Sequence, residues 1–254
     1  MSDAGDPAFR RAEIYPPFGL SGVVASAARL YGATYRHVIP IFVLFAAALS
    51  IVLQIVFLFG FSENLALPLY LLAAAVLPVF LASIGIGVIS QVFERAEGGE
   101  YGPTWGVRHI FAVVRPRFKD ILTVALIGGM IALAMTTLFG PLGAWLLWAL
   151  AGPPILMQVV CLEDAPLQEA WPRTRELLKG QALRIFGYLL TIGLGIRLVE
   201  SLVGSLLDGA IGSTTSGGVV FVLAQVLLFS ISLPFLGAVQ YACYRDLAFR
   251  SAAD

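Results

Sequence analysis

Arg197 and Glu200 stand three residues apart in an apolar stretch that holds no other charge from residue 185 to 207, and that spacing puts both on one helix face. Facing a cavity, such a pair could bind a solute or gate its passage. Neutralising each other, the two could instead fix one helix against its neighbours, the common use of charges inside a membrane. Gln54, Gln158 and Gln225 place one amide in each of three further apolar stretches. They could line a polar path, or hydrogen-bond between helices at about 0.6 kcal/mol each. Gly152-Pro153-Pro154 interrupts the stretch that carries Gln158. Two prolines in a helix remove two donors and free the carbonyls of Ala149 and Leu150, so the spacing predicts a kink. A break of this kind lines substrate sites in transporters, or only bends the helix while neighbours satisfy the freed carbonyls.

Nucleophilic chemistry finds little support. Gly19-Leu20-Ser21-Gly22 has the GxSG form of intramembrane serine proteases, but neither His37 nor His109 falls inside an apolar stretch to act as base. With only those two histidines and Cys161 and Cys243, the expectation is no metal site, no cofactor and no disulfide. No nucleophile, base and orienter can be assembled, so the chain is expected not to be an enzyme.

The elements that position these residues follow from composition and charge. The chain has 254 residues, is 59% hydrophobic and 13% charged, and has a formal net charge of +0. Its mean hydropathy is +0.88. Soluble domains carry about 25% charged residues, so an integral membrane protein is expected and nucleic acid is excluded as a partner. The first apolar run begins near Val38, too far along and too long for a cleaved signal sequence, so the N-terminus is expected to be retained.

Every Lys and Arg except Arg197 falls in four segments. These hold Arg10, Arg11, Arg29 and Arg36; Arg95, Arg108, Arg115, Arg117 and Lys119; Arg173, Arg175, Lys179 and Arg184; and Arg245 and Arg250. Between them lie apolar stretches at 38–61, 66–93, 119–139, 141–162, 182–207 and 218–244, each reaching the roughly 20 residues that cross a hydrocarbon core. They are paired by turns that carry no Lys or Arg. The positive-inside rule then gives six spans as three hairpins, with both termini cytoplasmic in a plasma (inner) membrane. Residues 1–17 read as a flexible tail, 18–250 as the membrane domain and 251–254 as a C-terminal tail.

Each hairpin is preceded by an amphipathic pattern that leads to a basic elbow. The first has Leu20, Val23, Val24, Ala27, Leu30, Tyr31 and Tyr35 before Arg36; the second has Val107, Ile110, Phe111, Val114 and Phe118 with Arg115, Arg117 and Lys119. The third has Leu167, Ala170, Trp171, Leu177 and Leu178 with Lys179 and Arg184. The fold class expected is therefore all-α and polytopic, with three interfacial helices whose apolar sides face lipid or bundle and whose basic sides face head groups. Trp145 and Trp148 suit membrane anchors, Trp105 and Trp171 suit the interfacial helices, and Gly85, Gly87, Gly128, Gly129, Gly193 and Gly195 suit close helix contacts.

The segment EDAPLQEAWPRTRELLKG, Glu163 to Gly180, resembles the signature of the membrane domain attached to some glycerophosphoryl diester phosphodiesterases and also found as a free-standing bacterial membrane protein. In that family an acidic residue ends a span, and a helix of the form Ala-Leu-x-x-Ser-x-x-Leu-x-x-Gly leads to the next. Glu163, Ala170, Trp171, Thr174, Leu177 and Gly180 match, with Trp171 in place of Leu and Thr174 in place of Ser. The ending resembles the family's last span, with Tyr244, Asp246, Leu247 and Arg250 at its exit. The catalytic barrel of the fused members, with its paired histidines and metal-binding carboxylates, has no counterpart. What the resemblance implies is thus a non-catalytic membrane domain.

The function expected is organisation of membrane lipids, in particular anionic ones, or of a partner protein at the cytoplasmic face, through Arg173, Arg175 and Lys179 with Arg115, Arg117 and Lys119. The alternative is a transporter or permease for a small or amphiphilic solute, built on Arg197, Glu200 and the Gly-Pro-Pro break. Few titratable groups lie in the spans, which leaves little for proton coupling.

Overall fold

The computed structural model describes residues 19–58, 83–96, 98, 112, 115–127, 130, 152–163, 165–211 and 215–253. Every regular element among them is helical. Five helices are named here: α1 (Leu20–Leu58), α2 (Pro153–Leu162), α3 (Leu167–Leu178), α4 (Ala182–Ile211) and α5 (Thr215–Ala253). Further helical segments lie at 83–96 and 118–127, the latter entered by a 3-10 turn at Arg115–Arg117. The stretches expected to carry Val107, Ile110, Phe111, Val114, His109, Trp105, Trp145 and Trp148 lie outside the described residues, as do 62–64 and 139–141, where turns were expected to pair the first four apolar stretches.

Among the described residues, two helices are long and apolar enough to cross a membrane by length and composition, in the windows Ala182–Leu206 of α4 and Val226–Ser251 of α5. They differ in what surrounds them. The α5 window is 61% buried inside the protein, whereas the α4 window is 17% buried and turns most of its surface outward. α5 is therefore the post on which the bundle is built. Ala238, Val239, Gln240, Tyr241 and Cys243 are all enclosed.

α1 differs from the expected helix, elbow and span. It runs unbroken for 39 residues through Arg36 and Pro40, about 57 Å at 1.5 Å per residue. The amphipathic stripe does not lie apart from the rest of the helix. Val23, Ala27, Leu30, Thr34 and Val38, followed by Ile41 and Phe42 three and four residues on, are all buried, so one face continues through the region read as an elbow. Tyr31 meets Phe235 of α5 edge-on with ring centroids 6.0 Å apart, and its partial burial pushes the phenol above its ordinary pKa. Pro40 and Arg36 are both exposed, which leaves the carbonyl that Pro40 cannot bond on the outer side of the helix. Arg36 lies 5.7 Å from the ring centre of Tyr35 and donates to its hydroxyl at 3.0 Å.

α5 begins at Thr215, inside the region read as an outer turn, and continues to Ala253, beyond the expected exit. The 83–96 segment packs inside the bundle through its small residues. A Cβ built on Gly85 would stand 2.6 Å from the Phe42 ring, and one on Gly87 would stand 3.0 Å from Ile121 and 3.2 Å from the Met157 sulfur. These two glycines make the close contacts expected of them. Gly195 does not, because nothing approaches its Cβ direction within 4 Å.

Gly85→Ala is accordingly expected to destabilise the protein by about 1–3 kcal/mol through overpacking against a fully buried ring. Gly85→Ala combined with Phe42→Leu should recover part of that loss in detergent-solubilised thermal unfolding. A Gly85→Ala protein that melts like the parent would refute the contact.

Candidate functional site

The family-motif residues converge at the end of the bundle that carries Arg184 and Arg250. Glu163 caps the end of α2, and its backbone N–H donates to the Val159 carbonyl at 2.9 Å. The Glu163 carboxylate accepts from two other helices. Arg173 Nε of α3 donates to Oε2 at 3.2 Å, and the Tyr244 hydroxyl of α5 donates to Oε1 at 2.9 Å. One acidic side chain thus ties α2, α3 and α5 together. Arg173 also reaches Glu176 at 3.5 Å, within its own helix.

α3 forms because its apolar residues recur at helical spacing and its charges suit the helix dipole, with Glu169 in the first turn and Arg175 in the last. Its buried residues are Ala170, Thr174 and Leu177, three of the motif positions. Of the two outlets open to its apolar side, lipid or bundle, the fold uses the bundle. Thr174 and Trp171 both have visible contacts. The Thr174 hydroxyl donates to the Ala170 carbonyl at 2.8 Å, while its methyl lies 3.2 Å from where a Gly152 Cβ would be. Trp171 carries the Arg175 guanidinium 5.4 Å above its ring centre. Gly180 follows with φ +72, the left-handed conformation that stops the helix before α4.

Asp246 forms the second node. It is buried and accepts from Arg184 Nη2 of α4 at 2.7 Å and from Arg250 Nε of α5 at 3.1 Å. Arg184 also lies 5.9 Å from the Tyr188 ring centre. The carboxylate therefore pins the start of α4 to the end of α5.

The six basic residues expected to face lipid or a partner are divided by these contacts. Arg173 is held by Glu163, and Arg117 is half-buried. Arg175, Lys179, Arg115 and Lys119 are exposed.

Arg197 and Glu200 do form the expected pair, Nη1 to Oε2 at 2.9 Å, but the two side chains face different surroundings. Glu200 is turned inward, where its other oxygen accepts a hydrogen bond from the Ser232 hydroxyl of α5. Arg197 is turned outward and is 71% exposed. Glu200 thus fixes α4 to α5, and among the described residues none encloses the guanidinium.

Gly152-Pro153-Pro154 marks the beginning of a helix, where a kink within one was expected. Gly152 has φ +78, and the prolines occupy the first positions of α2, where N–H groups have no partner in the helix in any case. Leu156 N–H donates to the Gly152 carbonyl at 2.8 Å, the first bond of the helix. The Leu178 methyl and the Thr174 methyl stand over Gly152, so α3 folds back to cover the start of α2.

Gln158 is wholly buried, and neither of its side-chain polar atoms has a partner among the described residues. The side chains of Gln54, Gln225 and His37 lie outside the described ones. Two amides that the sequence reasoning passed over belong beside Gln158. Gln240 is equally enclosed and unpartnered among the described residues, and Gln91 donates across the bundle to the Cys161 carbonyl. The rule that singled out Gln158, an amide within an apolar stretch, would have found both.

No family model matches the chain, and neither a curated protein nor a solved structure does.

Proposed function

We propose that the chain is a non-catalytic, six-span protein of the plasma (inner) membrane with cytoplasmic termini, and that it organises anionic lipid at the cytoplasmic face. A partner protein held at the same face is the other form this role takes. The division of the basic side chains carries the proposal. Arg173, Arg184 and Arg250 are engaged by Glu163 and Asp246 and join the helices, while Arg175, Lys179, Arg115 and Lys119 stand exposed beside them. Exposed Lys and Arg next to a bilayer gain about 1 kcal/mol each from anionic lipid. The apolar composition and the two membrane-length helices support placement in a bilayer. Kinship with the free-standing membrane domain of the phosphodiesterase family rests on Glu163, Ala170, Thr174, Leu177, Gly180 and Asp246, whose contacts are those of joints and helix packing.

Transport of a solute has less to stand on. The break before α2 is covered by α3, and its two prolines leave few N–H groups to greet an anion. Arg197 faces outward, away from any path through the bundle.

Reversing Arg175, Lys179 and Lys119 together to Glu tests the proposal without touching Glu163 or Asp246. Enrichment of anionic over zwitterionic lipid around the extracted protein should fall by at least about fivefold per residue reversed, as the loss of about 1 kcal/mol per cation requires. Quantitative lipid mass spectrometry reads the ratio. Enrichment equal to that of the parent protein would remove the lipid role.

A further inference from the structure

Arg197 lies on the outward side of α4, whose membrane-length window is 17% buried. Leu194, Leu198, Val199, Leu202 and Leu206 are exposed along the same helix, so in a bilayer this side of α4 meets acyl chains. A guanidinium on such a surface is costly unless its donors find acceptors, and it has five. Only Nη1 is bonded among the described residues, to Glu200. Glu200 takes that one donor alone, while its second oxygen accepts from Ser232.

The direction of the side chain supplies the next step. Helical side chains ordinarily lean toward the N-terminus, which for α4 is the end bearing Arg184. Arg197 instead reaches Glu200, nearly one turn toward the other end. Arg197 is thirteen residues from Arg184, about 20 Å along the helix, and its charged group is bent still farther out. A core ~30 Å thick therefore brings the guanidinium to within several ångströms of the outer head groups.

We infer that Arg197 binds the phosphodiester of an outer-leaflet phospholipid, whose acyl chains lie along the exposed apolar side of α4. The inference rests on the membrane placement proposed above and not on the cytoplasmic lipid role. A phosphate group fits because it offers several oxygens to a planar fork of donors, and a guanidinium can take two of them at once. Glu200 serves as the positioning residue. It holds Nη1 and leaves the remaining donors to the lipid, while Ser232 holds Glu200.

The test uses the full chain, delipidated in detergent and titrated with phosphatidylethanolamine or with a phosphate-free galactosyl diacylglycerol, with bound lipid counted by native mass spectrometry. The parent should retain phosphatidylethanolamine over the glycolipid at one site. Arg197→Leu with Glu200→Gln removes the charge pair while keeping an acceptor for Ser232, and should weaken that site on the order of tenfold, the worth of a charge-assisted hydrogen bond. Arg197→Lys, which cannot make the planar fork, should fall between. The Arg175, Lys179 and Lys119 reversal should leave this site occupied. Equal retention by parent and double variant would overturn the inference, as would a parent dimer that the double variant converts to monomer, which would assign the surface to a second copy. Recovery of the chain in the supernatant after membranes are pelleted would instead overturn the membrane placement itself.

Discussion

Asp246→Ala is expected to cost about 3–5 kcal/mol of stability, the range for removing one partner of a buried ion pair. The Asp246 side chain is 3% exposed and accepts from both Arg184 and Arg250. Without it Arg184, 23% exposed, keeps its charge with no carboxylate among the described residues, and its Nε is already buried without a partner among them. Arg250 is 35% exposed and can turn to water, so the loss falls mainly on Arg184. Asp246→Asn keeps the shape and one acceptor and should cost roughly 1–3 kcal/mol. Arg184→Leu with Asp246→Leu removes both members and should be far milder than either single change, because the desolvation of both charges disappears with their attraction. Denaturant unfolding in detergent, followed by tryptophan fluorescence, orders the variants. A double variant as unstable as the sum of its parts would show that the two residues do not act on each other.

That pair also marks where the sequence stopped being legible. Arg184 and Asp246 were each singled out, one as a basic flank and one as a motif residue, but they lie 62 positions apart and nothing local says which carboxylate meets which cation. Ala170, Thr174 and Leu177 were legible, since spacings of four and three residues put them on one helix face and burial requires that face to find a cover. Thr174 contributes through its methyl as well as its hydroxyl, a contact that depends on a glycine 22 positions earlier and leaves no local trace. Arg197 and Glu200 were legible as a pair. Their opposite exposure was not, because Ser232 on another helix decides which of the two turns inward.

The elbow expected at Arg36 fails for a different reason. A cluster of basic residues locates a membrane boundary, but it does not oblige the backbone to bend there. The buried stripe of α1 continues in register past Arg36, and a helix whose packing face is unbroken has no cause to stop. The two prolines of α2 show the same ambiguity from the other side. Within a helix they cost donors; at its first positions they cost none, and a sequence window that is apolar on both sides does not distinguish the two cases. Gly152 was the signal that could have done so, since a glycine just before a proline pair permits the positive φ at which the chain enters a helix.

Gly152→Ala is expected to cost about 2–4 kcal/mol. Two contributions add. An L-residue held at φ +78 loses roughly 1–2 kcal/mol to backbone strain, and its Cβ would stand 2.8 Å from the Leu178 methyl and 3.2 Å from that of Thr174, which costs a further ~1–2 kcal/mol unless α3 lifts. Gly180→Ala separates them, because Gly180 has φ +72 but nothing within 4 Å of its Cβ direction, so it reports backbone strain alone. Leu178→Ala in the Gly152→Ala background should recover the packing part and leave the strain. If Gly152→Ala proves no more damaging than Gly180→Ala, α3 is not seated on the start of α2. If it is clearly worse, amide exchange across residues 167–178 should rise with it. The covering of α2 by α3 and the Glu163 joint hold the same helix in place, so loosening one should expose Arg173 and free it from Glu163.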